Sequence, residues 1–183
     1  AEDKFYQDRI VLASSSPYQR IVVTQGRAGH RLYLNGNLQF AQQDEYRYHE
    51  ALVHPAMAAH GAPKKVAVLG GGDGMAVREI LKYPGVEAVT LVELDPAMTR
   101  LFGQDATLRR LNGDALASPK LNIINQDAFQ WLQGSEDMFD VIVVDFPDPT
   151  NFAIGKLYTN SFYSLLQQRL AASGYAVIQT TSP

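Results

Sequence analysis

From Lys65 onward the sequence alternates short apolar runs with helical patterns, and this alternation constrains the fold more than any other feature. The apolar runs are Val66 to Gly70, Ala88 to Glu93, Leu121 to Asn125, Val141 to Asp145 and Tyr175 to Gln179. Apolar runs of this length are typical of parallel strands that are covered on both faces. Helical spacing predicts helices between them, over Met75 to Lys82, Ala128 to Gln133 and Ser161 to Leu170. The sequence therefore predicts a doubly wound, Rossmann-like α/β sheet over residues 44–183.

Residues 1–43 have a different pattern and predict a small antiparallel β unit. The strand-like segments are Arg9 to Ala13, Tyr18 to Thr24, Arg31 to Leu34 and Leu38 to Ala41. Asn35-Gly36-Asn37 joins the last two and predicts a hairpin turn, because Asn and Gly accept positive φ. A helix is expected from Asp44, its predicted N-cap, to His60, and Pro55 is expected to kink it or to mark a break.

The composition narrows the possible functions. The net charge is −3, and no run of Lys or Arg is present, so a nucleic-acid partner is not expected. The chain contains no cysteine, which excludes disulfide and thiolate chemistry. No apolar stretch approaches the roughly 20 residues that a membrane-spanning helix requires.

A glycine-rich turn follows the first apolar run and precedes a helix. Gly70, Gly72 and Gly74 permit a tight turn and a close approach of the backbone to a nucleoside. Such turns also occur without any ligand, so the glycines alone leave both interpretations open.

Acidic residues at successive strand ends favour a ligand. Glu93 lies 19 residues after Gly74, where an acid usually accepts hydrogen bonds from ribose hydroxyls. Asp127 follows the third run and is placed to bind an adenine amino group, and Asp145 ends the fourth run. The carboxyl ends of parallel strands are where ligands bind in open α/β sheets.

Asp73 lies inside the glycine-rich turn and bears on which nucleoside could bind. A carboxylate at this position repels the pyrophosphate of a dinucleotide and the carboxylate of S-adenosylmethionine. It favours a ligand with a cationic tail, such as decarboxylated S-adenosylmethionine. The alternative is that Asp73 faces solvent or caps the helix that starts near Met75.

Asp145-Phe146-Pro147-Asp148-Pro149 brings two carboxylates to one loop that its prolines restrict. Aminopropyl transfer requires a carboxylate that binds a protonated amine, accepts its proton and aligns it for attack beside a sulfonium. Asp145 is the candidate base, and Asp148 is the candidate anchor for the acceptor nitrogen. The alternative is a structural turn, in which Asp and Pro are ordinary residues.

Segments throughout the chain are similar, in order, to motifs of the spermidine synthase (polyamine aminopropyltransferase) family. The matching segments are Tyr18-Gln19, Leu32-Tyr33-Leu34-Asn35-Gly36-Asn37-Leu38-Gln39, Asp44-Glu45-x-x-Tyr48-His49-Glu50, Gly70-Gly71-Gly72-Asp73-Gly74, Val92-Glu93-Leu94-Asp95, Gln126-Asp127-Ala128, Leu157-Tyr158-x-x-x-Phe162-Tyr163 and Gln179-x-x-Ser182-Pro183. The resemblance implies transfer of the aminopropyl group of decarboxylated S-adenosylmethionine, a co-substrate rather than a permanent cofactor, to a polyamine such as putrescine. The products would be spermidine and methylthioadenosine.

The resemblance also implies roles for individual residues. The expected nucleoside-binding residues are Gln19, Gly70, Gly72, Asp73, Gly74, Glu93, Asp127 and Ala128. The expected amine-binding residues are Tyr48, His49, Asp73 and Asp148. Asp145 matches the family's proton acceptor, and no metal ion is expected.

Some positions depart from the family pattern. Phe146-Pro147 replaces a small polar pair, Phe152 replaces a proline, and Ala128 replaces a glycine. The pattern Asp-x-Pro-Asp-Pro-x-Asn resembles a bacterial branch in which a membrane segment precedes the synthase domain. The chain is therefore expected to be the soluble, cytoplasmic-face part of a larger inner-membrane protein.

The C-terminal part of the family domain is expected to be missing, because the run that ends at Gln179 is too apolar for a bare sheet edge. The isolated chain is expected to bind the nucleoside but to transfer aminopropyl groups poorly. The resemblance further implies a homodimer through the N-terminal β unit. Two alternatives remain, since the predicted fold is methyltransferase-like. One is an S-adenosylmethionine-dependent methyltransferase, and the other is a non-catalytic domain that binds polyamine or nucleoside.

Overall fold

A computed structural model describes residues 2–147 and 159–179. The chain forms two compact units, Ala1–Tyr48 and His49–Pro183. The domain boundary expected between residues 43 and 44 stays a prediction. Asp148 and the expected motif residues Phe152, Leu157-Tyr158 and Ser182-Pro183 lie outside the described residues.

The first unit contains the predicted antiparallel β sheet. Its strands are β1 (Arg9–Ser15), β2 (Arg20–Gly26), β3 (Gly29–Leu34) and β4 (Asn37–Ala41), which pair in the order β1-β2-β3-β4. Asn35 and Gly36 connect β3 to β4 with φ values of 52° and 79°. The predicted hairpin turn is confirmed, because both of its residues adopt the left-handed conformation that Asn and Gly accept most readily.

Helix α1 (Gln42–His60) corrects the expected N-cap and rules out one of the two possibilities expected at Pro55, a break. It begins two residues before Asp44, which therefore lies in the first turn rather than at the N-cap. A carboxylate in the first turn still interacts favourably with the positive end of the helix. Pro55 lies inside α1 and marks no break, and the buried side chains of Val53 and Met57 on either side of it stabilise the continuous helix.

The second unit is the predicted Rossmann-like domain. Its elements are β5 (Lys65–Gly70), α2 (Met75–Ile80), β6 (Ala88–Val92), α3 (Pro96–Gln104), α4 (Ala106–Leu111), β7 (Leu121–Ile124), α5 (Ala128–Gly134), β8 (Phe139–Asp145), α6 (Asn160–Arg169) and β9 (Leu170–Ile178). All neighbouring strands pair in parallel, in the order β7-β6-β5-β8-β9. The direction of the strand order therefore reverses at β5 and β8, which are adjacent in the sheet.

The strands and helices of this unit are largely where the apolar pattern predicts them. β8 begins at Phe139 and β9 at Leu170, both earlier than the apolar runs indicate. α3 and α4 were not specified in advance, and each begins after an aspartate whose side chain accepts main-chain hydrogen bonds. The rings of Phe102, Phe139 and Phe162 are fully buried, and the last two belong to one hydrophobic core that also contains residues of β5, β8 and α5.

Among residues 2–147 and 159–179, no helix combines the length and the apolar character that crossing a bilayer requires.

Candidate active site

The sheet topology brings three loops of the second unit to one edge. Gly70 pairs with Asp145 across β5 and β8, and Leu69 pairs with Val92, the residue before Glu93. The loops that follow β5, β6 and β8 therefore start side by side at the carboxyl ends of their strands. The reversal between β5 and β8 makes this edge a topological switch point, the usual ligand site of an open α/β sheet.

Three glycines shape the turn after β5 through their backbone conformation. Gly70, Gly71 and Gly74 have φ values of 77°, 70° and 81°, which residues with a side chain rarely adopt. A Cβ atom on Gly70 would also collide with the main-chain oxygen of Asp145. Gly71 was not among the expected site residues, although its place within the Gly-Gly-Gly run was the available signal.

Gly72 is required for a different reason, namely close contact with Glu93. A Cβ atom on Gly72 would lie 2.5 Å from Oε1 of Glu93. The glycine instead lets its main-chain N–H donate to that oxygen at 3.0 Å. The turn after β5 and the acid after β6 are thus joined directly.

The carboxylate of Glu93 is held by main-chain donors. Oε1 accepts from the N–H of Gly72, and Oε2 accepts from the N–H of Asp95, both at 3.0 Å. Glu93 as a residue is partly exposed, but protein atoms surround its carboxylate. Burial is the largest influence and raises its pKa to about 7; the nearby acids Asp95 and Asp73 act in the same direction, and the two N–H donors oppose it.

His49, Asp73 and Asp145 form a buried cluster, with exposed fractions of 2%, 7% and 9%. One candidate ligand atom from each lies within 4.8 Å of the others, and Nε2 of His49 is 3.6 Å from Oδ2 of Asp145. Oδ1 of Asp73 accepts a hydrogen bond from the main chain of Met75 at 2.9 Å. The alternative that Asp73 faces solvent is therefore wrong, whereas its contact with the start of α2 is present.

This cluster could hold a cation. Two carboxylates and one imidazole offer oxygen and nitrogen ligands to a metal ion, and the same oxygens accept hydrogen bonds from an ammonium group. The burial of the carboxylates strengthens their electrostatic interaction with either kind of cation. The expectation that no metal binds stays a prediction.

The other expected site residues are distributed as follows. Asp127 is the N-cap of α5, where its Oδ1 accepts from the main chain of Gln130 at 3.0 Å, and Ala128 is buried directly after it. Gln19 and Tyr48 belong to the first unit. In that unit the main-chain N–H of Gln19 donates to Oγ of Ser16, and its main-chain oxygen accepts from the N–H of Ser16. The ligand contacts expected of these residues stay predictions.

Phe146 explains one departure from the family pattern. Its ring is 7% exposed and lies in the hydrophobic core with its centroid 5.8 Å from that of Phe162. The side chain that replaces a small polar residue therefore packs into the core under α6.

Two asparagines near the site were missed by the sequence analysis. Nδ2 of Asn112 donates to the main-chain oxygen of Asp73 at 2.9 Å, and Nδ2 of Asn125 donates to that of Glu93 at 3.0 Å. Each bond connects residues more than 30 positions apart, and no local pattern marks either asparagine. Only the folded topology reveals these contacts.

The fold and the site define a Rossmann-like protein with a buried cluster of two acids and a histidine at the switch point of its sheet, and comparisons identify its family. Residues 45–183 match the model of the spermine/spermidine synthase domain. The match covers more than half of the chain, and the chain belongs to this family.

Curated relatives are close in sequence. The chain is 54% identical over 183 residues to polyamine aminopropyltransferase of Leptospira interrogans and 57% identical over 183 residues to polyamine aminopropyltransferase 2 of Ralstonia nicotianae. All of this chain is covered in both comparisons, but only 37% and 36% of the two relatives. The chain thus spans little more than a third of the length of these relatives.

Solved structures agree with the fold. Spermidine synthase from Thermotoga maritima superposes with a TM-score of 0.86 at 30% identity, over 96% of this chain and 58% of that one. A spermidine synthase in complex with the transition state analogue AdoDATO gives a TM-score of 0.85 at 30% identity, over 93% of this chain and 57% of that one. The resemblance inferred from the sequence motifs is confirmed.

Proposed function

We propose that this chain provides the donor site and the catalytic aspartate of an aminopropyltransferase. The reaction moves the aminopropyl group of decarboxylated S-adenosylmethionine to a polyamine such as putrescine, giving spermidine and methylthioadenosine. The observation that carries the proposal is the buried cluster of His49, Asp73 and Asp145 at the switch point of the sheet. The aminopropyltransferase names of the curated relatives support the same reaction class.

The acids of the cluster select a donor with a cationic tail. Two unit charges about 4 Å apart near a protein surface interact by about 4 kcal/mol, favourably for opposite and unfavourably for like charges. Asp73 and Asp145 therefore attract the ammonium of an aminopropyl group and repel the carboxylate of ordinary S-adenosylmethionine. This preference separates an aminopropyltransferase from a methyltransferase of the same fold.

Glu93 binds the ribose of the donor in this proposal. Its carboxylate follows β6 and is oriented by the N–H groups of Gly72 and Asp95. A carboxylate has further lone pairs that can accept the two ribose hydroxyls. Asp127 and Ala128 at the start of α5 contact the adenine, and Gln19 completes the thioadenosine site.

Asp145 accepts the proton of the attacking amine. The amine nitrogen forms a bond to the carbon beside the sulfonium, while the carbon–sulfur bond breaks and its electron pair goes to sulfur. The leaving group is the neutral thioether methylthioadenosine. The nitrogen loses one proton, which the carboxylate of Asp145 takes up. Tyr48, His49 and Asp148 hold the acceptor in line with the scissile bond.

The remaining parts of the proposal concern assembly and location. The chain covers only 37% and 36% of the two curated relatives, and we propose that it transfers the aminopropyl group poorly by itself. We propose that the protein acts as a homodimer at the cytoplasmic face of the inner membrane.

Calorimetry with three nucleosides tests the donor assignment. Decarboxylated S-adenosylmethionine should bind most tightly, methylthioadenosine next and ordinary S-adenosylmethionine most weakly. A preference for the ordinary donor would instead indicate a methyltransferase.

Turnover tests the catalytic assignment. Spermidine formation from putrescine is measured in a form as long as the curated relatives, for the natural sequence and for Asp145→Asn. We expect Asp145→Asn to lower kcat at least about 100-fold, because a general base contributes about that much. Unchanged turnover would show that another group is the base, and ligand binding without any turnover would favour the non-catalytic alternative.

A further inference from the structure

Asn112 is a fully buried residue directly after α4, and its side-chain amide is hydrogen-bonded to the main chain of the glycine-rich turn. Nδ2 donates to the main-chain oxygen of Asp73 at 2.9 Å and to that of Phe102 at 3.1 Å. Carbonyl oxygens only accept hydrogen bonds, so both contacts identify the nitrogen rather than the oxygen of the amide at this position. The side chain therefore has one defined orientation.

The glycine-rich turn is shaped to admit this amide. A Cβ atom on Gly74 would lie 2.9 Å from Nδ2 of Asn112, and Gly74 also has a φ of 81°. Asp73 is consequently fixed at two points. Asn112 holds its main-chain oxygen, and the N–H of Met75 holds Oδ1 of its carboxylate.

The residue before Asn112 is anchored as well. Nη1 of Arg78, on α2, donates to the main-chain oxygen of Leu111 at 2.9 Å. The Nε atom of Arg78 donates to Oε2 of the fully buried Glu79 at 2.8 Å. Residues 111 and 112 are thus bonded both to α2 and to the turn that precedes it, which gives the amide of Asn112 a firm support.

We propose that Asn112 is a positioning residue that directs the carboxylate of Asp73 toward the cationic tail of the donor. This inference rests on the proposed function, in which Asp73 recognises an ammonium group. Asn112 touches the main chain of Asp73 rather than the ligand, so its effect on binding passes through that residue. The consequence is selectivity for a cationic over a neutral nucleoside.

Asn125, an exposed asparagine of the same unit, provides a control with the same kind of hydrogen bond. Its Nδ2 donates to the main-chain oxygen of Glu93 at 3.0 Å and to Oγ1 of Thr99 at 3.3 Å. Asn125 thus makes the same kind of hydrogen bond to Glu93, the acid assigned to the ribose, as Asn112 makes to Asp73. Both nucleosides contain the ribose, so loss of Asn125 should weaken them equally.

The experiment measures the dissociation constants of methylthioadenosine and decarboxylated S-adenosylmethionine by calorimetry. The neutral-to-cationic ratio of these constants is compared among the natural sequence, Asp73→Asn, Asn112→Ala, Asn125→Ala and the double variant Asp73→Asn/Asn112→Ala. We expect Asp73→Asn to lower the ratio about 10-fold, as for loss of a hydrogen bond to a charged group, and Asn112→Ala to lower it about 5-fold, because the carboxylate is then less well directed. Asn125→Ala should leave the ratio unchanged, and Asn112→Ala should have no further effect once Asp73 is replaced.

The outcomes separate the two proposals. If the natural sequence has no preference for the cationic donor, or if Asp73→Asn keeps it, the proposed function fails. If that preference depends on Asp73 but survives in Asn112→Ala, only the positioning role fails. Asn112→Ser, measured in the same way, replaces Asn112→Ala if the latter does not fold, and unfolding of both variants would assign Asn112 to general stability and overturn the inference.

Discussion

Replacing Glu93 with Gln tests the electrostatics of the site most directly. The pKa of Glu93 is raised from 4.5 to about 7, first because of burial and further because of Asp95 and Asp73. The folded protein therefore binds this proton more tightly than the unfolded chain does. As the pH rises from about 4.5 to about 7, the folded state must ionise an acid in an unfavourable place, and the free energy of unfolding falls.

The size of this effect follows from the shift. A change of about 2.5 pKa units, from 4.5 to about 7, corresponds to about 3 kcal/mol at 1.36 kcal/mol per unit. The penalty is absent below pH 4.5 and complete above pH 7. By the linkage relation, about 2 kcal/mol of this penalty should develop between about pH 5.5 and pH 8, a range in which unfolding is easily measured. Gln cannot ionise, so Glu93→Gln should escape the penalty.

Urea denaturation of both proteins between about pH 5.5 and pH 8 measures the difference. The free energy of unfolding of Glu93→Gln, minus that of the natural sequence, should increase by about 2 kcal/mol over this range. Taking the difference removes the contributions of groups that titrate in both proteins. Glu136→Gln, at an exposed position, should not reproduce the slope. If the difference in the free energy of unfolding between Glu93→Gln and the natural sequence does not change with pH, the raised pKa of Glu93 is refuted.

Three further substitutions test the packing around the site. Gly70→Ala should lower the free energy of unfolding by more than about 4 kcal/mol, because it adds a collision with β8 to the strain of a left-handed backbone. Gly61→Ala, at a φ of 90° but in open space, should lower it by only about 1–2 kcal/mol, and equal losses in urea or thermal unfolding would exclude the collision. Glu79→Gln should destabilise the folded protein by about 3 kcal/mol at pH 7, because it breaks a buried ion-pair network. This loss of stability should shrink as the pH falls below 4.5, and a loss that does not change with pH would contradict the prediction. Phe162→Ala should cost about 3–5 kcal/mol and the exposed neighbour Tyr163→Ala much less, and similar values would contradict the burial.

The fold could be predicted from the sequence because its main signals are local. Apolar runs and helical spacing indicated all five strands of the parallel sheet, and Asn35-Gly36 indicated a hairpin. The errors lie where tertiary packing outweighs local preference. The break that Pro55 could mark is one: α1 continues through it, since burial of the adjacent apolar face compensates for the lost hydrogen bond, whereas the kink expected as the other possibility stays a prediction.

The candidate site was only partly predictable. Its acids could be named because they follow strands, and parallel strands place their carboxyl ends together. The buried cluster of His49 with Asp73 and Asp145 joins an α1 residue to the glycine-rich turn and to the end of β8, and only the family resemblance pointed to the histidine. Asn112 carried no signal at all, because its bond to Asp73 spans 39 positions and its residue type is common in turns.

Two glutamates of the same unit show why the site is best explained by function rather than by folding. Burial raises the pKa of Glu79, but hydrogen bonds from Lys82, Arg78 and His54 outweigh it and hold the pKa below 4.5. Glu93 is also surrounded by protein, but the charged groups that shift its pKa are both acids, and they add to the effect of burial. The first arrangement stabilises the fold, because each charge is compensated. The second costs stability at neutral pH, and a ligand that donates hydrogen bonds and brings a positive charge to Asp73 and Asp145 would compensate for that cost. A site with this charge distribution is complementary to a cationic nucleoside.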